Sequence, residues 1–270
     1  MQKAFIILTV LFGFSRALGQ QPSPSPQTQP PTLGPVSDED AMALAARTAE
    51  ATMKWDQSSS PGMKAEVQLI RKGEVQGHMG FEYHVKVSGA PHNQPYTLMG
   101  WPVTSPGVIA MMEGLAIAQD GTVGCPAGST SNCAQLFKGT ELRLTYAPSK
   151  GEIYRHALVS QDHQSRIFFS FVPDPILASD KACRLEVVSL RAQFGLVIIR
   201  GKGFQPGEEL HVHTQSYQEI HDLPAKADPQ GEFQAYLTPF VKGRTAGTTE
   251  VVVTGKSCSP TISFNWGEQP

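Results

Sequence analysis

Side chains that alternate apolar and polar along a chain mark strands with one buried face. Phe81, Tyr83, Val85 and Val87 alternate with Glu82, His84 and Lys86. Leu142, Leu144 and Tyr146 alternate with Glu141, Arg143 and Thr145, and Val67 and Leu69 with Glu66 and Gln68. The run 166–172 is more continuously apolar, which predicts a central strand covered on both faces. Turn pairs such as Ser88-Gly89, Asp120-Gly121 and Lys150-Gly151 separate the runs. Together they predict an all-β domain over residues 63–178. Val172-Pro173-Asp174-Pro175 closes it, because proline cannot donate to a strand ladder. A second, clearer β pattern fills 180–268. There Leu210, Val212 and Thr214 alternate with His211 and His213, and Phe233, Ala235 and Leu237 with Gln234 and Tyr236. Ile262, Phe264 and Trp266 alternate with Ser263 and Asn265. Short strands with regular turns are accommodated most economically by a sandwich of two antiparallel sheets.

Ahead of the strands the period changes. Met42, Ala45, Ala49 and Met53 recur at helical spacing, with Trp55 near the end. Ser37 suits an N-cap, and Asp38, Glu39 and Asp40 sit where the helix dipole favours negative charge. This predicts one helix over 37–56, packed on the first β domain; the alternative is a helix that docks on a partner. Residues 20–36 contain six prolines in 17 positions and predict an extended tether that cannot build a core. Residues 1–19 read as a secretory signal peptide. Lys3 starts it, 4–14 is an apolar run, and Ala17-Leu18-Gly19 offers a small-x-small cleavage site. The apolar run 108–118 carries Glu113 and is too short to span a bilayer.

Composition narrows the function classes. Hydrophobic residues are 40% and charged residues 17%, enough to build a core and too apolar for a chain disordered throughout. Lys and Arg number 22 against 24 Asp and Glu, a balance without general attraction to nucleic acid or anionic membrane. Loss of 1–19 would leave a formal charge of −4. No Asn-x-Ser/Thr sequon occurs. The four cysteines, Cys125, Cys133, Cys183 and Cys258, form no C-x-x-C pair of the kind zinc and thiol-redox sites use. In an exported chain they predict two disulfides. Three pairings are possible. Cys125–Cys133 with Cys183–Cys258 is preferred, because each pair then stays inside one domain.

The stretch Val197-Ile198-Ile199-Arg200-Gly201-Lys202-Gly203-Phe204-Gln205-Pro206-Gly207-Glu208-Glu209-Leu210 resembles the opening of bacterial immunoglobulin-like domains, including the IPT/TIG group. Their pattern is a strand, then G-x-G-F-x-P-G-E, then another strand. Ala227-Asp228-Pro229-Gln230-Gly231-Glu232-Phe233 is similar to a D-x-x-G-x-F turn of the same class. The resemblance covers about a third of the chain. It implies an Ig-like sandwich over 180–268 and roles in adhesion, spacing or carbohydrate association. The first β domain is similar to transthyretin-like or Ig-like modules in its strand pattern alone, so the expected architecture is two tandem Ig-like β-sandwich domains behind the signal peptide, the Pro-rich linker and one short helix.

Candidate chemistry is sparse. His211 and His213 are two apart on a predicted strand and share a face, with Cα atoms about 7 Å apart. Two imidazoles on one face can begin a zinc or copper site, with His221 as a possible third ligand. The alternative is a solvated strand face. His78, His84, His92, His156 and His163 show no ligand spacing. There is no G-x-S-x-G, P-loop, G-x-G-x-x-G or H-E-x-x-H, so no catalytic residue is assigned and no cofactor is expected. Tyr96, Met99, Trp101, Met111 and Met112 form an aromatic and Met-rich region that serves either as core or as a contact surface. The expectation is a non-catalytic binding or structural module, secreted, periplasmic or held in the cell envelope. Its partner would be an extracellular or envelope protein or glycan, with neither nucleic acid nor a membrane span involved. The rivals are an enzyme or enzyme-accessory protein with an interdomain site, and a metal-binding protein using His211 and His213.

Overall fold

A computed structural model describes residues 38–75, 78–92, 94–136 and 141–268. The predicted signal peptide and Pro-rich tether lie outside the described residues. Helix α1 (Asp38–Met53) leads into a single 3-10 turn, Asp56–Ser58. The first set of strands follows: β1 (Lys64–Val75), β2 (His78–Ser88), β3 (Tyr96–Gly100), β4 (Ile109–Ile117), β5 (Val123–Gly124), β6 (Arg143–Tyr146), β7 (Tyr154–Ser160) and β8 (Arg166–Phe171). A short helix, α2 (Asn132–Leu136), lies between β5 and β6. The second set is β9 (Ile176–Asp180), β10 (Cys183–Ser189), β11 (Val197–Lys202), β12 (Glu209–Ser216), β13 (Glu219–Lys226), β14 (Phe233–Leu237), β15 (Ala246–Thr254) and β16 (Thr261–Gly267).

The class is all-β. A three-stranded sheet, β1-β2-β6, faces a five-stranded sheet, β5-β4-β3-β7-β8. The alternation read from the sequence puts Phe81, Tyr83, Val85 and Val87 of β2 and Leu144 of β6 inside, against Tyr96, Leu98, Leu158, Ile167 and Phe169 of the facing sheet. The second sandwich pairs β14-β11-β10-β9 with β13-β12-β15-β16. Its core holds Val187, Val197, Ile199, Leu210, Val212, Val251, Val253, Ile262 and Phe264. The pairings within both sandwiches are antiparallel.

Cys125 is bonded to Cys133 and Cys183 to Cys258, with Cα–Cα separations of 5.7 and 6.2 Å. The second bridge ties the start of β10 to the turn between β15 and β16, and so staples one sheet to the other. Lys181 Nζ donates to Ser257 O at 2.7 Å, and Ser259 N to Asp180 Oδ2 at 2.7 Å, at the same place.

Two expectations change. Segment 166–172 forms an edge strand, β8, and not a central one. Its apolar character has another cause: the outward ring of Phe168 meets Trp55 edge-on at 4.8 Å. Helix α1 does not serve the first sandwich alone. Ala45 and Ala49 share a buried cluster with Ile153 of the first half and with Val188, Leu190, Leu196 and Ile198 of the second. Strands β10 and β11 are therefore buried on both faces: Val187 and Ile199 point into the sandwich, Val188 and Ile198 toward the helix.

The junction is also polar. Glu152 and Ser189 form a parallel bridge, Ser189 N donates to Gly151 O at 2.7 Å, and Gly151 N to Asp174 O at 2.6 Å. Arg155, on the outer face of β7, is almost fully buried (1% exposed). Its guanidinium donates to Thr52 Oγ1 of α1 at 2.8 Å, Trp101 O at 3.2 Å and Leu190 O at 3.5 Å, and stacks 3.9 Å from the Trp101 ring. One side chain thus joins the helix and both sandwiches. Burial lowers its pKa to about 10, which leaves it charged at neutral pH.

Candidate functional site

Alternation on the five-stranded sheet sends one set of side chains to the core and the other to its outer face. Near β7 that outer face is covered by the Trp55 end of α1, and Trp55 Nε1 donates to the carbonyls of His156 and Phe169 at 3.0 and 3.2 Å. Beyond this cover the face opens into a groove of about 730 Å³. Its floor is small and apolar, from Thr97, Met99, Ala110, Ala157 and Val159. Such a volume and lining fit a ligand site.

The rim is built by local chemistry. On one side the turn after β7 is fixed by Asp162, whose Oδ1 accepts from Ser160 Oγ at 2.5 Å and Gln164 N at 3.1 Å. Those bonds, Ser160 first, hold the Asp162 carboxyl below the ordinary carboxylate range. His163 takes a left-handed conformation (φ 60°), and its carbonyl accepts from Arg166 Nε at 3.1 Å. His163 and Arg166 thereby stand exposed at the groove edge. On the other side Glu113 is anchored through its backbone N–H, which donates to Asn132 Oδ1 at 2.6 Å. The Cys125–Cys133 bond holds that loop, and Gly114 (φ 79°) leaves room for the Ser131 side chain where a Cβ would collide. The groove therefore offers an apolar floor and a rim carrying the Arg166 guanidinium, the His163 imidazole and one carboxylate, Glu113.

The aromatic and Met-rich region splits. Tyr96 is core (1% exposed) and donates its hydroxyl to Pro91 O at 2.8 Å. Met112 packs on the core, Met99 lines the groove, Met111 is exposed, and Trp101 stacks on Arg155.

His211 and His213 lie on the outer face of β12, as their spacing predicts, while Leu210 and Val212 are buried. Sequence reading missed their partner. Asp222 sits opposite His213 on β13, and its Oδ1 lies 2.8 Å from His213 Nδ1 and 3.4 Å from His211 Nε2. The hydrogen bond with His213, then the nearby imidazoles, hold the Asp222 carboxyl below its usual range. His221 pairs with Thr214, whose side chain faces inward, so it falls on the opposite face from His211 and His213. Among the described residues no three His, Cys, Asp or Glu side chains are grouped to hold a metal ion. The cluster is an exposed His–Asp–His arrangement sharing one carboxylate oxygen.

Among the described residues no helix is long and apolar enough to cross a membrane. The run 108–118 forms β4 instead.

No family model matches the chain, and no curated protein does. Among solved structures, a tetra-tandem repeat from the extending region of a large adhesion protein aligns at 9% identity and a TM-score of 0.23, over 77% of this chain. The chain spans about half (49%) of that structure's length. A DUF3823 family protein from Bacteroides ovatus aligns at 10% identity and a TM-score of 0.20, over 77% of this chain and 99% of the other. The sandwich architecture described above rests on the strand pairing itself.

Proposed function

We propose that the chain is an exported, non-catalytic binding module of the cell exterior or envelope, built from two Ig-like sandwiches of which the second is IPT/TIG-like. The observation that carries this reading is the groove on the outer sheet face of the first sandwich. It is open and apolar at its floor, and its charged rim is held by turn and disulfide chemistry. Preorganised loops on a rigid sheet keep the ordering cost of binding low. The partner is an extracellular or envelope protein or glycan. The second sandwich, joined through α1 and Arg155, holds the first at a fixed orientation and serves as its spacer.

The test is a crosslinking pull-down with oxidised protein lacking residues 1–19, tagged at its C-terminus, from the native envelope and medium. Val159→Arg, on the groove floor, is captured in parallel. A partner enriched by the native chain and reduced at least tenfold by Val159→Arg supports the reading. A blank with abundant folded protein, or equal capture by the variant, contradicts it.

A further inference from the structure

A second concavity, of about 670 Å³, lies between the sandwiches, apart from the groove on the sheet face. Six chain segments line it, and three of them bring the groups a ligand would meet. The turn between β6 and β7 brings Lys150, the loop between β10 and β11 brings Arg191, Gln193 and Phe194, and the edge strand β16 brings Ser263 and Asn265. These walls are tied to one another through backbone. Besides the bonds joining Gly151 and Ser189, Ile153 N donates to Ser189 O at 3.3 Å and Ala192 N to Val103 O at 3.3 Å. The cleft is therefore part of the folded frame and not a gap between hinged halves.

Its polar groups are largely unspent. Among the described residues no carboxylate lies within ion-pairing distance of Lys150 or Arg191. The lining carries one acid, Glu152, and its Oε2 already accepts from Ser149 N at 3.0 Å. The side chains of Gln193 and Ser263 make no hydrogen bond among the described residues, and Asn265 uses only Oδ1, accepting from Thr248 Oγ1 at 2.8 Å, which leaves its amide N–H groups to donate. Phe194 borders the cleft and stacks on Phe264 at 5.6 Å and 29°. Gln193 and Phe194 are both left-handed, at φ 57° and 56°. Two adjacent non-glycine residues in that region carry backbone strain, and here it turns the amide and the ring to the same cleft.

Two cations, several amide and hydroxyl groups and the stacked rings of Phe194 and Phe264 match a particular ligand chemistry. A carboxylate satisfies the cations, ring hydroxyls satisfy the amides and the serine, and the C–H face of a pyranose fits an aromatic edge. We propose that the interdomain cleft binds an acidic saccharide, with its carboxylate on Lys150 and Arg191 and its hydroxyls on Gln193, Ser263 and Asn265. Sequence reading offered the interdomain region as a possible enzyme site; this assignment is one of binding and needs no reaction.

The test is isothermal titration of the oxidised full chain with three trisaccharides, bearing glucuronate, galacturonate and sialate respectively. A neutral galactose trimer and a penta-glutamate peptide are titrated alongside. The expected result is saturable binding of at least one acidic trisaccharide that weakens at least tenfold in Arg191→Gln combined with Lys150→Gln. The same ligand should weaken as salt is raised. Arg184→Gln with Lys202→Gln removes two exposed cations outside the cleft and should leave binding within twofold. Unfolding midpoints of both double variants show that each is folded. Absence of binding by all three acidic trisaccharides overturns the proposal. So does equal affinity of the Lys150/Arg191 variant, or penta-glutamate binding as tightly as the best saccharide.

Discussion

His156 sits inside the first sandwich, 3% exposed, with its Nε2 2.7 Å from the Tyr146 hydroxyl. Among the described residues its Nδ1 has no partner of good hydrogen-bond geometry. Burial pushes the imidazole down to about 4 and raises the Tyr146 phenol well above its ordinary range. The neutral pair is thus the folded form, with the phenol donating to Nε2. An unfolded histidine titrates near 6.5. Between these values the unfolded chain binds more protons than the folded one. The contribution of His156 is therefore complete above about pH 6.5 and lost as pH falls toward 4. Integrated, that is on the order of 3 kcal/mol. Urea denaturation at pH 7.5 and 4.5 reads it: the native chain should lose more stability than His156→Gln over this interval. Parallel loss in both would show that the acid sensitivity lies elsewhere. His156 was named in the sequence only as one of several scattered histidines. Nothing local shows its burial, because Tyr146 and the aromatic rings around it come from other strands.

Strands β1, β2, β6, β12, β14 and β16 were legible, since each carries its own alternation. The helix was legible in extent but not in destination: an alanine-thin face does not say which apolar surfaces close on it. Edge and central strands were also not separable. Phe168 makes β8 look doubly covered because Trp55, more than a hundred positions earlier, supplies the cover. The G-x-G-F-x-P-G-E stretch and the D-x-x-G-x-F turn are explained by contact. Gly203 (φ 86°) faces the Ala182 carbonyl and Gly231 (φ 77°) the Phe204 carbonyl, where a Cβ has no room. Glu208 is buried beneath the turn and accepts from the backbone N–H groups of Gln205 and Lys256. The disulfides belong to this level too. In the chain-entropy account, closing the 75-residue separation of Cys183 and Cys258 is worth on the order of 4 kcal/mol, and the 8-residue separation of Cys125 and Cys133 about 2.5. Paired Cys→Ser variants, compared by denaturation midpoint, should rank in that order. The short bridge should instead matter more for partner capture, since it holds the loop at the groove end. An equal loss of capture from both pairs would contradict that division of roles.

Taken together, the chain is a stapled, two-sandwich frame, and among its concavities are a groove on a sheet face and a cleft at the junction. The sequence marks the Met-rich region and an interdomain site as candidates, but the shape of neither concavity was readable from it. Of the groove floor only Met99 lies in a region the sequence marks; Thr97, Ala110, Ala157 and Val159 carry no chemical signature, and the cleft gathers its lining from six separate segments. What the sequence did carry was the pair His211 and His213, and these are bound up with Asp222 on an exposed face. The binding reading depends on the two sandwiches acting as one stiff body. Ala45, Ala49, Ile153, Val188 and Ile198 bury the seam, and Arg155 hydrogen-bonds across it. Loss of a buried, hydrogen-bonded guanidinium leaves carbonyls and a hydroxyl unpaired, at a cost on the order of 3 kcal/mol. Stiffness is read by the distance distribution between spin-labelled unnatural residues at the exposed positions Glu74, in the first sandwich, and Glu250, in the second. Double electron–electron resonance should give a single narrow distance in the otherwise native chain and a broadened one in Arg155→Ala. A broad distribution in the native chain, unchanged by Arg155→Ala, would mean that the sandwiches move independently and that the frame described here does not hold.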